Sequence, residues 1–545
     1  MNEKMVAFQR IVSDNALGRV ILCLCAVLFS LPFAYENTYV FGWIGLVILF
    51  CNISCYRKTL KRVFCSLFCF FITFYVCLYS WFVSLYPLDF AGLGNAESVG
   101  VIIIAMTAIP LIHTAIMSLS LLASHIAAGW TDNGIVRVVL YSAGYVLGEY
   151  FQSVGTLRFP WGRLFVSQTA RLEILQSASL FGSYFVTFVM VLVNGLLALF
   201  VMSLVKRQRK ALVYLLAALL IFGANLTYGV LRMNEADETS EKIGALVLQG
   251  NVPSSEKWSD SVSHEEIYIE LSKEAAKALE QNGIDADIAV MCETAFPTTL
   301  VKDYVTPYYA KDTLRAVEIM TRNLDSELLV GAFYEESGKS YNSVYHVKRD
   351  GSISLPVYSK QNLVPFGEFL PYRNALSWLF PFMSEINILG EDIESGRGEL
   401  LSETESGKIA CLVCFDSIFP ETARKQVKQG ARLIAVSTND SWYKTSNALY
   451  VHAKHSQMRA IENNVSVLRS ANTGISQIID PKGRVVCSTK VNERAVISAN
   501  VDITQKVTLY TKIGDVPVVM SFLLIAGCLV LLIVKQKIAS RKRDD

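Results

Sequence analysis

The alternation of apolar and polar positions changes character twice along the chain. Up to about residue 232, long apolar runs follow one another with short polar breaks. From about 240 to 512 the pattern shortens into strand and helix rhythms, and a last apolar run then closes the chain. Eight runs are long enough to span a bilayer, each needing roughly 20 mostly apolar residues. They lie near 17–35, 38–54, 64–86, 99–126, 136–153, 178–204, 211–231 and 515–534. In the middle region, short apolar stretches bounded by turn residues predict strands near 242–250, 287–292, 327–333, 408–414, 432–437, 465–471, 475–480, 484–488 and 494–501. A hairpin is predicted for 341–347 and 352–358 around Arg349-Asp350-Gly351. Helical periodicity predicts helices near 263–281, 311–323, 418–428 and 446–463. Strands and helices alternate first and hairpins enter later, so the region is expected to be an α/β domain with a mixed sheet or two sheets covered by helices. The expected organisation is a transmembrane domain over 1–232 with seven spans, a globular domain over 240–512, and a transmembrane helix with a basic tail over 513–545.

Charge gives the helices a direction. Arg57, Lys58, Lys61 and Arg62 lie between the second and third runs, Lys206, Arg207, Arg209 and Lys210 between the sixth and seventh, and Lys535, Lys537, Arg541, Lys542 and Arg543 after the last. With eight spans all three clusters fall on one side, which predicts cytoplasmic termini and a globular domain outside. Asp89 and Glu97 fall on the opposite side. The composition, 52% hydrophobic and 18% charged, suits a membrane protein, and a net charge of +2 gives no reason to expect a nucleic-acid partner.

The twelve cysteines form neither a disulfide framework nor a zinc site. Cys23, Cys25, Cys51, Cys55, Cys65, Cys69, Cys77 and Cys528 lie in or beside apolar runs. Cys51 and Cys55 have no further cysteine or histidine at zinc spacing. No metal or cofactor is expected. Of Cys292, Cys411, Cys414 and Cys487, the one that stands at the end of a predicted strand, just before a helix start, is Cys414; α/β enzymes place reactive groups there. Strand alternation puts Cys411 on the opposite face. Glu293 and Lys360 also follow predicted strands. A thiol needs a base or a cation nearby to supply thiolate, a desolvated carboxylate serves as base, and an ammonium stabilises an oxyanion. Glu149, near the end of the fifth run, is either a functional carboxylate or an interfacial one.

The Glu293-Thr294-Ala295 segment, Lys360 with Leu363-Val364-Pro365-Phe366-Gly367-Glu368, and Cys414-Phe415-Asp416 resemble the Glu-Lys-Cys motifs of the nitrilase (carbon–nitrogen hydrolase) superfamily. With the flanking apolar runs, Gln249-Gly250-Asn251-Val252-Pro253, Lys257-Trp258, Asn439-Asp440-Ser441-Trp442, Arg459-Ala460-Ile461-Glu462, Arg469 to Ser476 and Phe159-Pro160-Trp161 resemble the apolipoprotein N-acyltransferases. The resemblance implies an extracytoplasmic α-β-β-α sandwich beside the membrane helices, in a bacterial inner membrane. It implies acyl transfer from a membrane phospholipid to a diacylated apolipoprotein N-terminus, with Cys414 as nucleophile, Glu293 as base and Lys360 at the oxyanion. Glu368, Phe415 and Asp416 would support that site, and Trp258 and Trp442 would lie on substrate loops. Trp378-Leu379-Phe380-Pro381-Phe382-Met383 is a candidate acyl-chain loop. The chain departs from that pattern at Phe415-Asp416, where Tyr and Glu are common, at Met291-Cys292, and at Tyr443-Lys444-Thr445-Ser446 in place of an aromatic–Gly run. Alternatives are a membrane-tethered amidase or a transferase with another amine acceptor, a lipoprotein-binding scaffold without activity, and a transporter. Few charges lie within the apolar runs, which disfavours the transporter.

Overall fold

The computed structural model describes the chain apart from residues 1–14, 57–58, 89–92, 236–240, 260, 375–377, 379–392, 399, 505 and 545. Arg57, Lys58 and Asp89, used above for orientation, and most of the candidate acyl-chain loop therefore lie outside the described residues. The chain forms two compact units. One comprises residues 1–82, 102–235 and 513–545, the other 83–101 and 236–512.

The first unit is helical. Among the described residues, seven helices are long and apolar enough to cross a membrane: Ala16–Ala34, Glu36–Cys55, Leu60–Leu85, Asn95–Trp130, Ser183–Val205, Lys210–Met233 and Val516–Arg541. The expected fifth span is the helix Gly134–Phe151, which is buried along much of its length and carries Arg137 and Glu149. These charges, with its tyrosines and glycines, dilute its apolar character, so it falls outside the seven and the count of eight is not reached. Glu149 is buried, accepts hydrogen bonds from Leu164 N at 2.7 Å and Thr187 Oγ1 at 2.8 Å, and lies 3.9 Å from Arg163 Nε. Trp161 is likewise buried, stacked on Phe159 with ring centroids 5.5 Å apart.

The second unit holds strands β1 (Glu241–Gln249), β2 (Ile288–Val290), β3 (Thr299–Lys302), β4 (Glu327–Glu336), β5 (Lys339–Val347) and β6 (Ile353–Ser359). They are followed by β7 (Leu401–Thr404), β8 (Gly407–Val413), β9 (Leu433–Thr438), β10 (Ser466–Ala471), β11 (Gln477–Ile479), β12 (Val485–Ser488) and β13 (Ala495–Ile503). Four helices cover them: α1 (His264–Asn282), α2 (Lys311–Leu324), α3 (Pro420–Lys428) and α4 (Ala448–Asn463). Local chemistry sets their ends. The Ser263 side chain caps α1 by accepting from Glu266 N, Gly283 closes it in the left-handed region, and Pro420 starts α3.

The strands form two sheets. One runs β13-β1-β2-β4-β5-β6, with β3 beside β4; the other runs β12-β11-β10-β9-β8-β7. Pairs β1–β2, β2–β4, β8–β9 and β9–β10 are parallel, and buried parallel strands read as continuous apolar runs. Between the sheets, Ala245, Val247, Ile288, Val290 and Leu329 pack against Cys411, Val413, Leu433, Ala435 and Leu468. Leu271, Ala275, Val317 and Met320 of α1 and α2 cover the outer face of the first sheet. Ala423, Val427 and Ala460 of α3 and α4 cover the second. The result is a helix–sheet–sheet–helix sandwich. Strands β3 and β7, four residues each, were not anticipated, because such short polar-containing edges carry little periodicity.

Candidate active site

Strand β8 ends at Val413, and the next residue breaks its rhythm. Cys414 takes φ +47°, a conformation that non-glycine residues rarely adopt. A single turn over Cys414–Ile418 follows, and then α3. Simple alternation would turn Cys414 toward the helix-covered face with Ala410 and Leu412. The left-handed residue instead returns it to the layer between the sheets, where Cys411 and Val413 also pack. The expectation that Cys411 and Cys414 face opposite sides is therefore corrected. Cys411 lies deeper, with Sγ 3.4 Å from Ser402 Oγ and its backbone N–H bonded to Gln426.

Glu293 leaves the end of β2 at a second strained corner, where Thr294 has φ +44°. Gly331 of β4 lies directly against this corner. A Cβ there would sit 2.2 Å from the Cys292 carbonyl oxygen, so only glycine fits. Lys360 follows β6 and is 1% exposed. Its Nζ donates to Glu293 Oε1 at 3.1 Å and to Glu368 Oε1 at 2.8 Å. Asn342 Nδ2 bridges the same two oxygens at 2.7 and 3.4 Å. The other Glu293 oxygen accepts from Asn439 N at 2.8 Å, and Glu368 Oε2 accepts from Val364 N at 2.8 Å. Burial works against the Lys360 ammonium, but Glu293, Glu368 and Cys414 together hold its pKa well above the usual lysine range. Burial pushes the Cys414 thiol up and Glu293 adds to that rise, while Lys360 opposes it. The raised pKa favours the protonated thiol at rest, with the Glu293 carboxylate and the Lys360 ammonium close enough to act on it in opposite directions.

Asp416 is buried and anchors the loop that carries Lys360. It accepts from Tyr358 Oη at 2.8 Å and from Asn362 N and Nδ2, both at 2.7 Å. Burial raises its pKa against those donors. Phe415 turns into packing with Phe419, with ring centroids 5.3 Å apart. Trp258 is about half exposed and stacks on Phe333 at 6.0 Å. Trp442 sits in the short turn Ser441–Tyr443, two residues beyond Asp440.

Several polar groups of the site were given no role from the sequence. The buried Lys257, next to Trp258, donates from Nζ to the Glu293 carbonyl oxygen at 3.0 Å and so holds the β2 corner. Asn342 is hidden within a strand as an ordinary alternating polar residue. Behind the nucleophile, His452 of α4 lies with Nδ1 2.8 Å from Asp440 Oδ1 and Nε2 3.2 Å from the Cys414 carbonyl oxygen. Arg469 Nη2 donates to Asp440 Oδ2 at 2.7 Å. Despite its burial, Arg469 and His452 hold the Asp440 carboxyl well below the usual range. Asp440 and Arg469 lie in motifs quoted above; His452 gave no signal.

The α/β unit defines the class. The carbon–nitrogen hydrolase profile matches residues 247–507, and the apolipoprotein N-acyltransferase N-terminal domain profile matches residues 25–196. An apolipoprotein N-acyltransferase of Bradyrhizobium diazoefficiens is 30% identical over 76% of this chain and 75% of its own length. One from Geobacter metallireducens is 28% identical over 90% of this chain and 91% of its own. The chain belongs to the apolipoprotein N-acyltransferase family, acyltransferases of the carbon–nitrogen hydrolase superfamily. Among solved structures, Saccharomyces cerevisiae Nit3, a member of branch 10 of the nitrilase superfamily, aligns with 49% of this chain and 92% of its own at 15% identity and a TM-score of 0.36.

Proposed function

We propose that this protein N-acylates lipoproteins through a thioester on Cys414, taking the acyl chain from a membrane phospholipid. The observation that carries the reading is the burial of Cys414, Glu293 and Lys360 together at strand ends, with Lys360 bonded to Glu293. In the first half-reaction, Cys414 Sγ attacks the ester carbonyl carbon and its proton moves to Glu293. Lys360 stabilises the oxyanion of the tetrahedral intermediate. The carbon–oxygen bond breaks, the leaving alkoxide takes the proton from Glu293, and a lysophospholipid departs. In the second half, the α-amino group of an S-diacylglyceryl-cysteine attacks the thioester carbonyl and gives a proton to Glu293. The carbon–sulfur bond breaks, the leaving thiolate takes that proton from Glu293, and the thiol and the carboxylate are both restored. Glu368 and Asn342 hold Lys360 and Glu293 in register, and Asp416 fixes the loop that carries Lys360.

The reading places the protein in a bacterial inner membrane, with both termini cytoplasmic and the unit bearing residues 240–512 on the outer side. Donor and acceptor then share one leaflet with the thiol. The test is incubation of the purified enzyme in lipid with a diacylated lipopeptide. Mass spectrometry is expected to find a triacylated peptide and one lysophospholipid per transfer. Free fatty acid without triacylated peptide would replace this reading with a membrane-tethered hydrolase.

A further inference from the structure

The loop that leads from β9 to α4 passes Asn439, which bonds Glu293, and then Trp442 and Tyr443. It then turns on Lys444, which has φ +49° and ψ −124°. Ser446 N bonds the Tyr443 carbonyl at 3.0 Å, so residues 443–446 make a tight turn with Lys444 at its first central position. Those angles are those of a type II′ turn, a place that glycine fills and a Cβ strains. The lysine side chain has a use there. Its Nζ donates to the carbonyl oxygens of Tyr86 at 2.6 Å, Leu85 at 3.3 Å and Pro87 at 3.4 Å. Residues 83–101 fold with the α/β unit although they are far from it in sequence. An ammonium has three N–H groups to offer, enough for all three carbonyls. The Tyr443 ring meets that of His452 edge-on at 6.0 Å, and His452 Nε2 lies 3.2 Å from the Cys414 carbonyl oxygen, so the loop reaches the backbone of the nucleophile.

We propose that Lys444 is a latch: by tying its strained turn to the 85–87 carbonyls, it fixes the loop that carries Trp442 and Tyr443 beside the nucleophile. It is a positioning residue, and its effect on acylation rests on the acyl-transfer reading above. Without the latch the turn gains freedom and the two aromatic residues lose their place, while the sandwich behind them is untouched.

The test uses the full-length protein in nanodiscs, in four forms: wild type, Lys444→Ala, Lys444→Gly and Lys444→Arg. Hydrogen–deuterium exchange is read across 439–447 and thioester formation is read by mass spectrometry. Alanine keeps the strain and loses the latch; glycine loses both; arginine keeps the cation. Exchange at 441–446 is expected to rise about tenfold in the alanine and glycine variants and less in the arginine variant, the loss expected for charged hydrogen bonds. Thioester formation is expected to slow severalfold in the first two, with the melting temperature unchanged. Wild-type exchange in Lys444→Ala, or full protection in Lys444→Gly, overturns the latch. Faster exchange with an unaltered acylation rate overturns the positioning role. If the wild type itself forms no thioester, the acyl-transfer reading fails, and the exchange comparison still decides the latch.

Discussion

Cys414, Glu293 and Asp416 separate three kinds of contribution to the site. Replacing Cys414 by Ala removes the only proposed nucleophile, so acyl transfer should fall about 10⁴-fold or more. A mass increment of one acyl chain, present in wild type after incubation with phospholipid, should vanish. An adduct retained in Cys414→Ala, or mapped to Cys411, would sink the assignment. Glu293→Gln keeps the shape and the hydrogen bonds to Lys360 and Asn342 but cannot take a proton. Its transfer rate should drop about 10²- to 10⁴-fold, measured as thioester formation in a single turnover. Asp416→Ala touches no reacting atom. It strips the acceptor shared by Tyr358, Gln361 and Asn362, leaving buried donors unpaired at roughly 1–3 kcal/mol each. The expectation is a lower melting temperature and a slower kcat at nearly constant KM, with Asp416→Asn partly rescuing both; equal loss in Asp416→Asn would show that charge rather than hydrogen bonding matters. Glu293, Lys360 and Cys414, the groups proposed to react, could be singled out in the sequence because each follows a predicted strand in the family's order. Asn342, Lys257 and His452 could not be, because a polar residue that alternates with apolar ones, stands in a turn, or lies one turn into a helix looks the same whether or not it reaches another strand's end.

At the level of elements, strands β8 and β9 and helix α4 converge on the nucleophile, and their ends are fixed by the Asp440–His452–Arg469 cluster. Periodicity was enough to place most strands and helices of the sandwich within a few residues, since central parallel strands are apolar on both faces. It failed at Cys414, where one left-handed residue changes which face a side chain joins, a backbone choice that side-chain pattern does not encode. Periodicity also cannot see electrostatic support. Asp440 is held well below the ordinary Asp range by Arg469 and His452. A depressed folded pKa means that its stabilisation is fully present above the unfolded value, about 4, and is lost as pH falls toward the folded value. Thermal unfolding of wild type and Asp440→Asn should therefore converge on acidification from about pH 6 to pH 3, because only the wild type loses this contribution. Glu368 and Asp416, whose folded pKa values are raised, contribute the opposite slope in both proteins and cancel in the comparison. Parallel acid limbs for the two proteins would show that Asp440 carries no such coupling.

Across the molecule, the apolar runs foretold a helical unit, but the expected fifth span was harder to read. The helix Gly134–Phe151 has the length of a short span, yet its Glu149 is buried against Arg163, and sequence alone does not say whether a charge faces a neighbouring helix or lipid. The direction of the chain through the membrane turns on that helix. Between the third and sixth apolar runs, one crossing more or fewer exchanges the sides of everything downstream, including the unit with Cys414. The basic residues give an independent constraint: Lys206, Arg207, Arg209 and Lys210 stand on one side of the helix Lys210–Met233, and Lys535 and Lys537 follow the last apolar stretch. Both clusters are cytoplasmic under the positive-inside rule only if the α/β unit between them is outside. Alkaline phosphatase, which is active only where disulfides form, should be active when fused after Glu235 and inactive when fused after Arg207 or at the C-terminus. If Gly134–Phe151 crosses, a fusion after Asp132 should be inactive and one after Gly155 active. Equal activities at Asp132 and Gly155 would show that this helix does not cross, and the same activity on both sides of Lys210–Met233 would remove the outward-facing thiol on which a shared leaflet with phospholipid depends.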